Sequence, residues 1–505
     1  MRVFVVLFLL YPWIGADFSS GEQSTDLPYI KVNETWGNLT EQIEERLNTT
    51  ALNVLHTRLE ALNDTIKDHL TLKKAELENV SQSLKTVRRT RVSQVQELGD
   101  NIEDINTIDG IGKDLYQGDI MPTKEQVEEI VEEISGEGGR SKRQAFRDHN
   151  YPRTTWPGAR VPYFFHWSAS ESAKRAFRRA ARMWSDITCI DIFEVGWEPE
   201  AIQVIRGRGC WSYVGKTRGI QDLSLGQGCD TTGIAAHELG HALGFYHTHA
   251  RYDRDSMITV LPYNIEQGWH DQFTAQTKAT NWNYGLAYDY GSIMHYGATS
   301  ATRDKILKPP TMIPRDPRYY ETIGSPFVSF NDVLMMNKHY NCTSKCDPRT
   351  SAKCENRGFP HPRDCSKCIC PFGYGGRLCK IKPAVCGQVL NATFTQQEFT
   401  DVVGDRRFGG FPREDFRFCY YWIKAPEGQK IRAELVRFAP RGIAVDGCTY
   451  GGVEFKIKKD QRLTGTRYCS AQDAGTVVVS ETNLMPIITY NRLYESSVTI
   501  RYSLV

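Results

Sequence analysis

At 505 residues the chain is too long for one ordinary hydrophobic core, and two to four domains are expected. A net charge of +2 with 24% charged residues leaves no overall pull toward nucleic acid or an anionic membrane surface, so neither is expected as a partner. All fourteen cysteines lie at position 189 or beyond, an even set that suits an oxidising compartment.

The N-terminus agrees with that compartment. Arg2 precedes an apolar run from Val3 to Leu10 and on to Ile14, closing at Gly15-Ala16, which reads as a signal peptide over 1–16 and is too short to span a membrane. No other long apolar run follows, so a secreted, extracellular protein without a membrane anchor is expected. Sequons at Asn33, Asn38, Asn48, Asn63, Asn79, Asn341 and Asn391 are candidate glycosylation sites.

Residues 17–143 read as a pro-segment. Between about 41 and 100 the apolar residues Leu55, Leu59, Leu62, Ile66 and Leu70, then Leu77, Val80, Leu84 and Val87, fall at three- and four-residue steps. That spacing predicts a long amphipathic helix or helical hairpin, packed on its own protein or on a coiled-coil partner. Arg140-Ser-Lys-Arg143 follows a glycine-rich stretch and offers a furin-like protease a processing site after Arg143.

Residues 144–343 carry the chemistry. Ser170 to Ile187 places Ala173, Phe177, Ala180, Ala181 and Trp184 at helical spacing with basic residues opposite, and 201–215 mixes Val, Ile, Trp and Tyr as a strand would. Residues 237–247 then read H-E-L-G-H-A-L-G-F-Y-H. On a helix, His237 and His241 stand one turn apart on one face and can reach the same small cation. Gly244 can adopt positive φ and turn the chain so that His247 returns to it. Three imidazoles with one position left for water describe a catalytic zinc, one ion per chain, and Glu238 beside the first ligand is the candidate general base.

About fifty residues on, 288–297 read Y-D-Y-G-S-I-M-H-Y-G, and 249–255 read H-A-R-Y-D-R-D. With the eleven-residue motif these segments resemble the astacin family of metzincin zinc endopeptidases, in the many-domain arrangement of nematode astacins. The resemblance implies an α+β, two-subdomain catalytic domain whose edge strand binds extended protein or peptide substrates. It makes Met294 the Met-turn floor under the zinc and Tyr296 a displaceable ligand that stabilises the tetrahedral intermediate. It also makes Asp119, in Tyr116-Gln117-Gly118-Asp119-Ile120, the latency ligand that fills the water's position. It pairs Cys189 with Cys342 and Cys210 with Cys229, and points to Arg303, Lys305 or Lys308 for recognition of acidic residues after the scissile bond. One position departs from the family: the glutamate that usually follows the third histidine is Thr248, which cannot neutralise a buried N-terminal ammonium.

Two small modules follow. Cys346, Cys354, Cys365, Cys368, Cys370 and Cys379, ending C-P-F-G-Y-G-G-R-L-C, resemble an EGF-like module over 344–380, paired 346 to 365, 354 to 368 and 370 to 379. From 386 to 505, strand-like runs with Cys386, Cys419, Cys448 and Cys469 resemble an all-β, antiparallel CUB sandwich paired 386 to 419 and 448 to 469. The expectation is a secreted zymogen endopeptidase acting on extracellular or matrix proteins. The alternative is an adhesive matrix-binding protein with a weak or inactive protease domain.

Overall fold

The computed structural model describes residues 50–86, 93–135, 145–146, 153–278, 281–439 and 443–505. Residues 1–16, read above as a signal peptide, together with Asn33, Asn38, Asn48, Val87 and the basic site ending at Arg143, lie outside the described residues. Asn63, Asn79, Asn341 and Asn391 are all exposed.

Where a long amphipathic helix or helical hairpin is expected between about 41 and 100, the described residues form three consecutive helices: α1 (Thr50–Ala61), α2 (Asn63–Leu70) and α3 (Lys74–Thr86). Asp64 in the first turn favours a fresh helix start at Asn63. The Glu76 carboxylate accepts from Lys73 N–H at 3.0 Å and holds the start of α3. Leu55, Leu59, Ile66 and Leu70 keep their common face, but they bury it within the chain, clustered with Val127, Ile130, Trp269 and Phe273. That face is therefore not available to a coiled-coil partner. Asn101 caps α4 (Ile102–Ile108) by accepting from Asp104 N–H. Thr123 and Gln126 bond each other reciprocally at the start of α5 (Lys124–Ser135).

The central sheet has six strands: β1 (Ile120–Met121), β3 (Arg160–Phe165), β4 (Asp191–Glu194), β5 (Ile202–Ile205), β6 (Cys210–Tyr213) and β7 (Gln221–Leu225). They lie side by side in the order β1-β6-β7-β5-β3-β4. Strands β3, β4, β5 and β7 pair in parallel, and β6 runs antiparallel to β7. The strand read at 201–215 is thus two strands, β5 inside the sheet and β6 beside its edge. The edge place itself is taken by β1, which pairs in parallel with β6. The short β2 (Ala145–Phe146) pairs with β9 (Asn281–Trp282), and β8 (Ile258–Val260) with β10 (Met312–Pro314).

Two helices back this sheet. Ser170 caps α6 (Glu171–Ile187), which buries Ala173, Phe177, Ala180, Ala181 and Trp184. Each large side chain buried there contributes on the order of 1.5–3 kcal/mol. The Trp184 indole N–H donates to Ala236 O at 3.0 Å and ties α6 to α7 (Thr232–Ala242). Helix α8 (Phe330–His339) closes this region, and Cys342 just beyond it is bonded to Cys189.

All fourteen cysteines are paired, the other bonds being 210–229, 346–365, 354–368, 370–379, 386–419 and 448–469. Residues 346–379 fold around the hairpin of β11 (Phe359–His361) and β12 (Asp364–Ile369). The C-terminal region is a sandwich of two sheets. One orders β13 (Val389–Asn391), β15 (Arg417–Lys424), β20 (Leu484–Asn491), β17 (Gly451–Phe455) and β18 (Thr466–Tyr468). The other orders β14 (Gln397–Gly404), β21 (Glu495–Leu504), β16 (Ile431–Ala439) and β19 (Thr476–Val479). It departs from the expected all-antiparallel pattern at one edge, where β13 runs parallel to β15. The Cys386–Cys419 bond sets the two chains side by side three residues before each strand pairs, and both leave it in the same direction.

The sandwich is seated on the region that carries Thr299 and Ser325. Asp446 accepts from Thr299 N–H and Oγ1 at 2.7 and 2.9 Å. The buried Arg467–Glu454 pair, 3.0 Å apart, reaches across to Ser325 Oγ at 2.7 Å.

Candidate active site

Helix α7 begins where the Thr231 side chain accepts from Ile234 N–H, and it presents His237 and His241 on one face. It ends at Gly244, whose φ of +112° is open to glycine; a Cβ there would also come within 2.8 Å of His339 Nε2. The chain turns back and delivers His247, fully buried, to the same point. Below the helix Met294 approaches so closely that a Cβ on Gly240 would lie 2.9 Å from its sulfur. Thr248 N–H donates to Met294 O, which fixes the third histidine against the Met294 turn.

The outer nitrogen of each ring decides what the inner one can do. Nδ1 of His237 lies 2.7 Å from Ile293 O, Nδ1 of His241 lies 2.7 Å from Phe245 O, and Nδ1 of His247 lies 3.0 Å from Gln117 Oε1. These partners are acceptors, so each Nδ1 carries the proton and each Nε2 presents a lone pair. Yet His237 Nε2 is 3.0 Å from His241 Nε2 and 3.3 Å from His247 Nε2. Lone pairs converge at that distance only around a cation. Tetrahedral zinc–nitrogen bonds of about 2.0–2.1 Å would set the nitrogens roughly 3.3 Å apart.

Asp119 supplies a fourth donor. Its carboxylate lies 3.2, 3.5 and 3.2 Å from Nε2 of His237, His241 and His247, and is fully buried. Burial alone would raise it, but positive charge at this point, whether protons on His247 and His241 or a cation held between their lone pairs, outweighs that and holds the carboxyl well below its usual range. A tight turn carries it in. Tyr116 and Ile120 exchange backbone bonds of 2.9 Å, while Gln117 and Gly118 between them take φ of 46° and 76°. Gly118 lies flat on Trp269; a Cβ would meet Tyr296 Oη at 2.6 Å and Trp269 at 3.0 Å.

A family model described as "Astacin", a peptidase family, matches residues 148–341. Zinc metalloproteinase nas-31 of Caenorhabditis elegans is 44% identical over 84% of this chain and 69% of its own length. The chain belongs to the astacin family of zinc metalloproteinases. Zinc metalloproteinase nas-29 of the same organism is 35% identical over 77% of this chain and 76% of its own. Among solved structures, high choriolytic enzyme 1, a hatching enzyme zinc-protease from Oryzias latipes, is 31% identical, covering 37% of this chain and 92% of its own, with a TM-score of 0.34.

Three imidazoles and a carboxylate in one buried cluster therefore suit a single zinc ion as donors. Glu238 stands beside this astacin-family centre with both oxygens buried and without hydrogen-bond partners. Burial, and next the charge of Asp119, raises its carboxyl well above the ordinary value. The Tyr296 hydroxyl donates to Gln117 O, and its ring stacks on His249 with centroids 4.0 Å apart.

Several groups that no motif singled out also hold the cleft. Asn106 bonds both Cys210 N–H, through Oδ1 at 2.8 Å, and Cys210 O, through Nδ2 at 2.7 Å, serving the open edge of β6 as a strand would. Ser212 N–H donates to Asp119 O, and Gly118 N–H to Gln272 Oε1 at 2.9 Å. Of the basic candidates, Lys308 pairs with Asp104 at 3.1 Å and Lys305 with Glu266 at 2.9 Å, while Arg303 N–H donates to Asn264 O. Thr248 Oγ1 donates to Ser292, which donates to Asp332, a buried carboxyl raised to about 6 by its burial.

Proposed function

We propose that the chain is a secreted zymogen whose 17–143 segment blocks an endopeptidase centre, with EGF-like and CUB modules behind it. The observation that carries this reading is Asp119 against all three histidine nitrogens, on a segment that also fills the edge of β6. The segment runs parallel to β6. A substrate added in the more stable antiparallel sense would run the other way, so the blocking segment presents its peptide bonds reversed.

Removal of the segment after cleavage at Arg143 by a furin-like protease frees Cys210 and Ser212 for substrate backbone and leaves a place for water beside Glu238. Zinc, when bound, polarises the scissile carbonyl and acidifies water. Glu238 takes the proton of the attacking water and passes it to the departing amine. Tyr296, released from Gln117 O, turns its hydroxyl to the developing oxyanion. Extracellular proteins, including matrix, are the substrate class.

Full-length chain before and after cleavage at Arg143, beside processed Glu238→Ala, tests this with a quenched peptide library. Hydrolysis should appear on processing and vanish in the variant. Equal, negligible hydrolysis by both processed chains would favour the adhesive protein instead.

A further inference from the structure

A cavity of about 420 Å³ lies where four parts of the chain meet. Its inner wall includes His237 and Ile293 of the metal site, and Ile102 of α4 closes one side. The outer wall comes from elsewhere: Phe372 of the disulfide-rich module, and Phe416, Phe418 and Arg492 of the sandwich. Phe327 of the catalytic region packs into this aromatic group, 4.7 Å from the Phe416 ring and 5.5 Å from Phe418 between centroids. The Arg492 guanidinium lies over Phe416 and Tyr450 at 5.2 and 4.9 Å, only 8% of the residue is exposed, and its Nε has no hydrogen-bond partner.

We propose that the sandwich is part of the substrate cleft: Phe416, Phe418 and Arg492 form the outer wall of a pocket that receives a bulky apolar side chain of the substrate just past the scissile bond. The inference rests on the peptidase reading above. Continuity argues for this occupant, because the cavity opens on a metal-ligating histidine. The wall that leaves with the pro-segment is Asp100, Asn101, Ile102 and Glu103, and of these Ile102 is buried in the same apolar cluster as Ile293. The flank is set by α4, whose Asn106 holds Cys210. A substrate antiparallel to β6 directs the residues after its scissile bond toward Cys210, the end of β6 held by the same helix α4 that lends Ile102 to the cavity. Rings on several sides select apolar bulk, the charged lining residues Arg179, Glu414 and Asp415 neutralise one another in ion pairs, and the free Nε offers a donor to a substrate carbonyl.

The test uses processed full chain in two forms. In the active form, kcat/KM is compared for peptides with Phe or Gly immediately after the scissile bond. In the Glu238→Ala form, binding of the same peptides is followed by calorimetry. Wild type should prefer Phe; Phe416→Ala with Phe418→Ala should reduce that Phe-to-Gly ratio about tenfold in both readouts. Phe418→Trp, which fills the pocket rather than emptying it, should move preference from Phe toward Ala. Unchanged ratios in these variants would overturn the pocket. Absence of hydrolysis by wild type, with the binding ratio still set by Phe416 and Phe418, would sink the peptidase reading and leave the pocket standing.

Discussion

Gly118→Ala offers a direct way to loosen the segment proposed to block the site without changing a residue of the catalytic region itself. Gly118 sits at φ +76°, where an alanine is strained by about 1–2 kcal/mol. Its new methyl would lie 2.6 Å from Tyr296 Oη and 3.0 Å from Trp269, an overlap costing about 1–3 kcal/mol. Together, about 2–5 kcal/mol against docking raises the undocked fraction roughly 30- to 4000-fold. Hydrolysis of a fluorogenic peptide by unprocessed chain should rise in that range. After processing, variant and wild type should have the same kcat/KM, since position 118 has left. Unprocessed variant as silent as wild type would refute the reasoning that the turn at Gln117-Gly118 holds Asp119 in place.

Glu238→Gln should lower kcat about 10²- to 10⁴-fold while zinc content, measured by atomic absorption, stays at one per chain. His241→Ala should lose both the metal and the activity. Burial, with the Asp119 charge adding to it, pushes Glu103 up from 4.5 to about 8, so its neutral form is the one the folded, unprocessed chain favours. That contribution is full below pH about 4.5, fades as pH rises, and is gone above about 8; thermal unfolding of the unprocessed chain should show a fall on the order of a few kcal/mol across this window, flattened in Glu103→Gln. Replacing Cys189 and Cys342 by alanine opens a 153-residue loop and should cost about 4–5 kcal/mol, read from denaturant midpoints.

How much of this was readable beforehand follows from distance along the chain. His237, His241 and His247 are ten residues from end to end, so helix pitch and one glycine already bring them together. The Met294 turn and Asp119 were legible through family resemblance, not through any spacing rule. What escaped were side chains joined across long separations. Gln117 reaches His247 over 130 residues, Asn106 reaches Cys210 over 104, and Thr299 reaches Asp446 over 147. Each is an ordinary amide, hydroxyl or carboxylate in its local sequence. The break at Asn63 escaped because the apolar period runs through it unbroken. T-K-E-Q at 123–126, by contrast, carries a capping-box pattern that marks the start of α5 and needed only local reading.

The central claim is most directly met by an anomalous-difference map at the zinc edge from crystals of the unprocessed chain. One peak is expected, within bonding distance of Nε2 of His237, His241 and His247 and of the Asp119 carboxylate. A metal-replete crystal with no peak there, or with Asp119 turned away from it, would contradict the account.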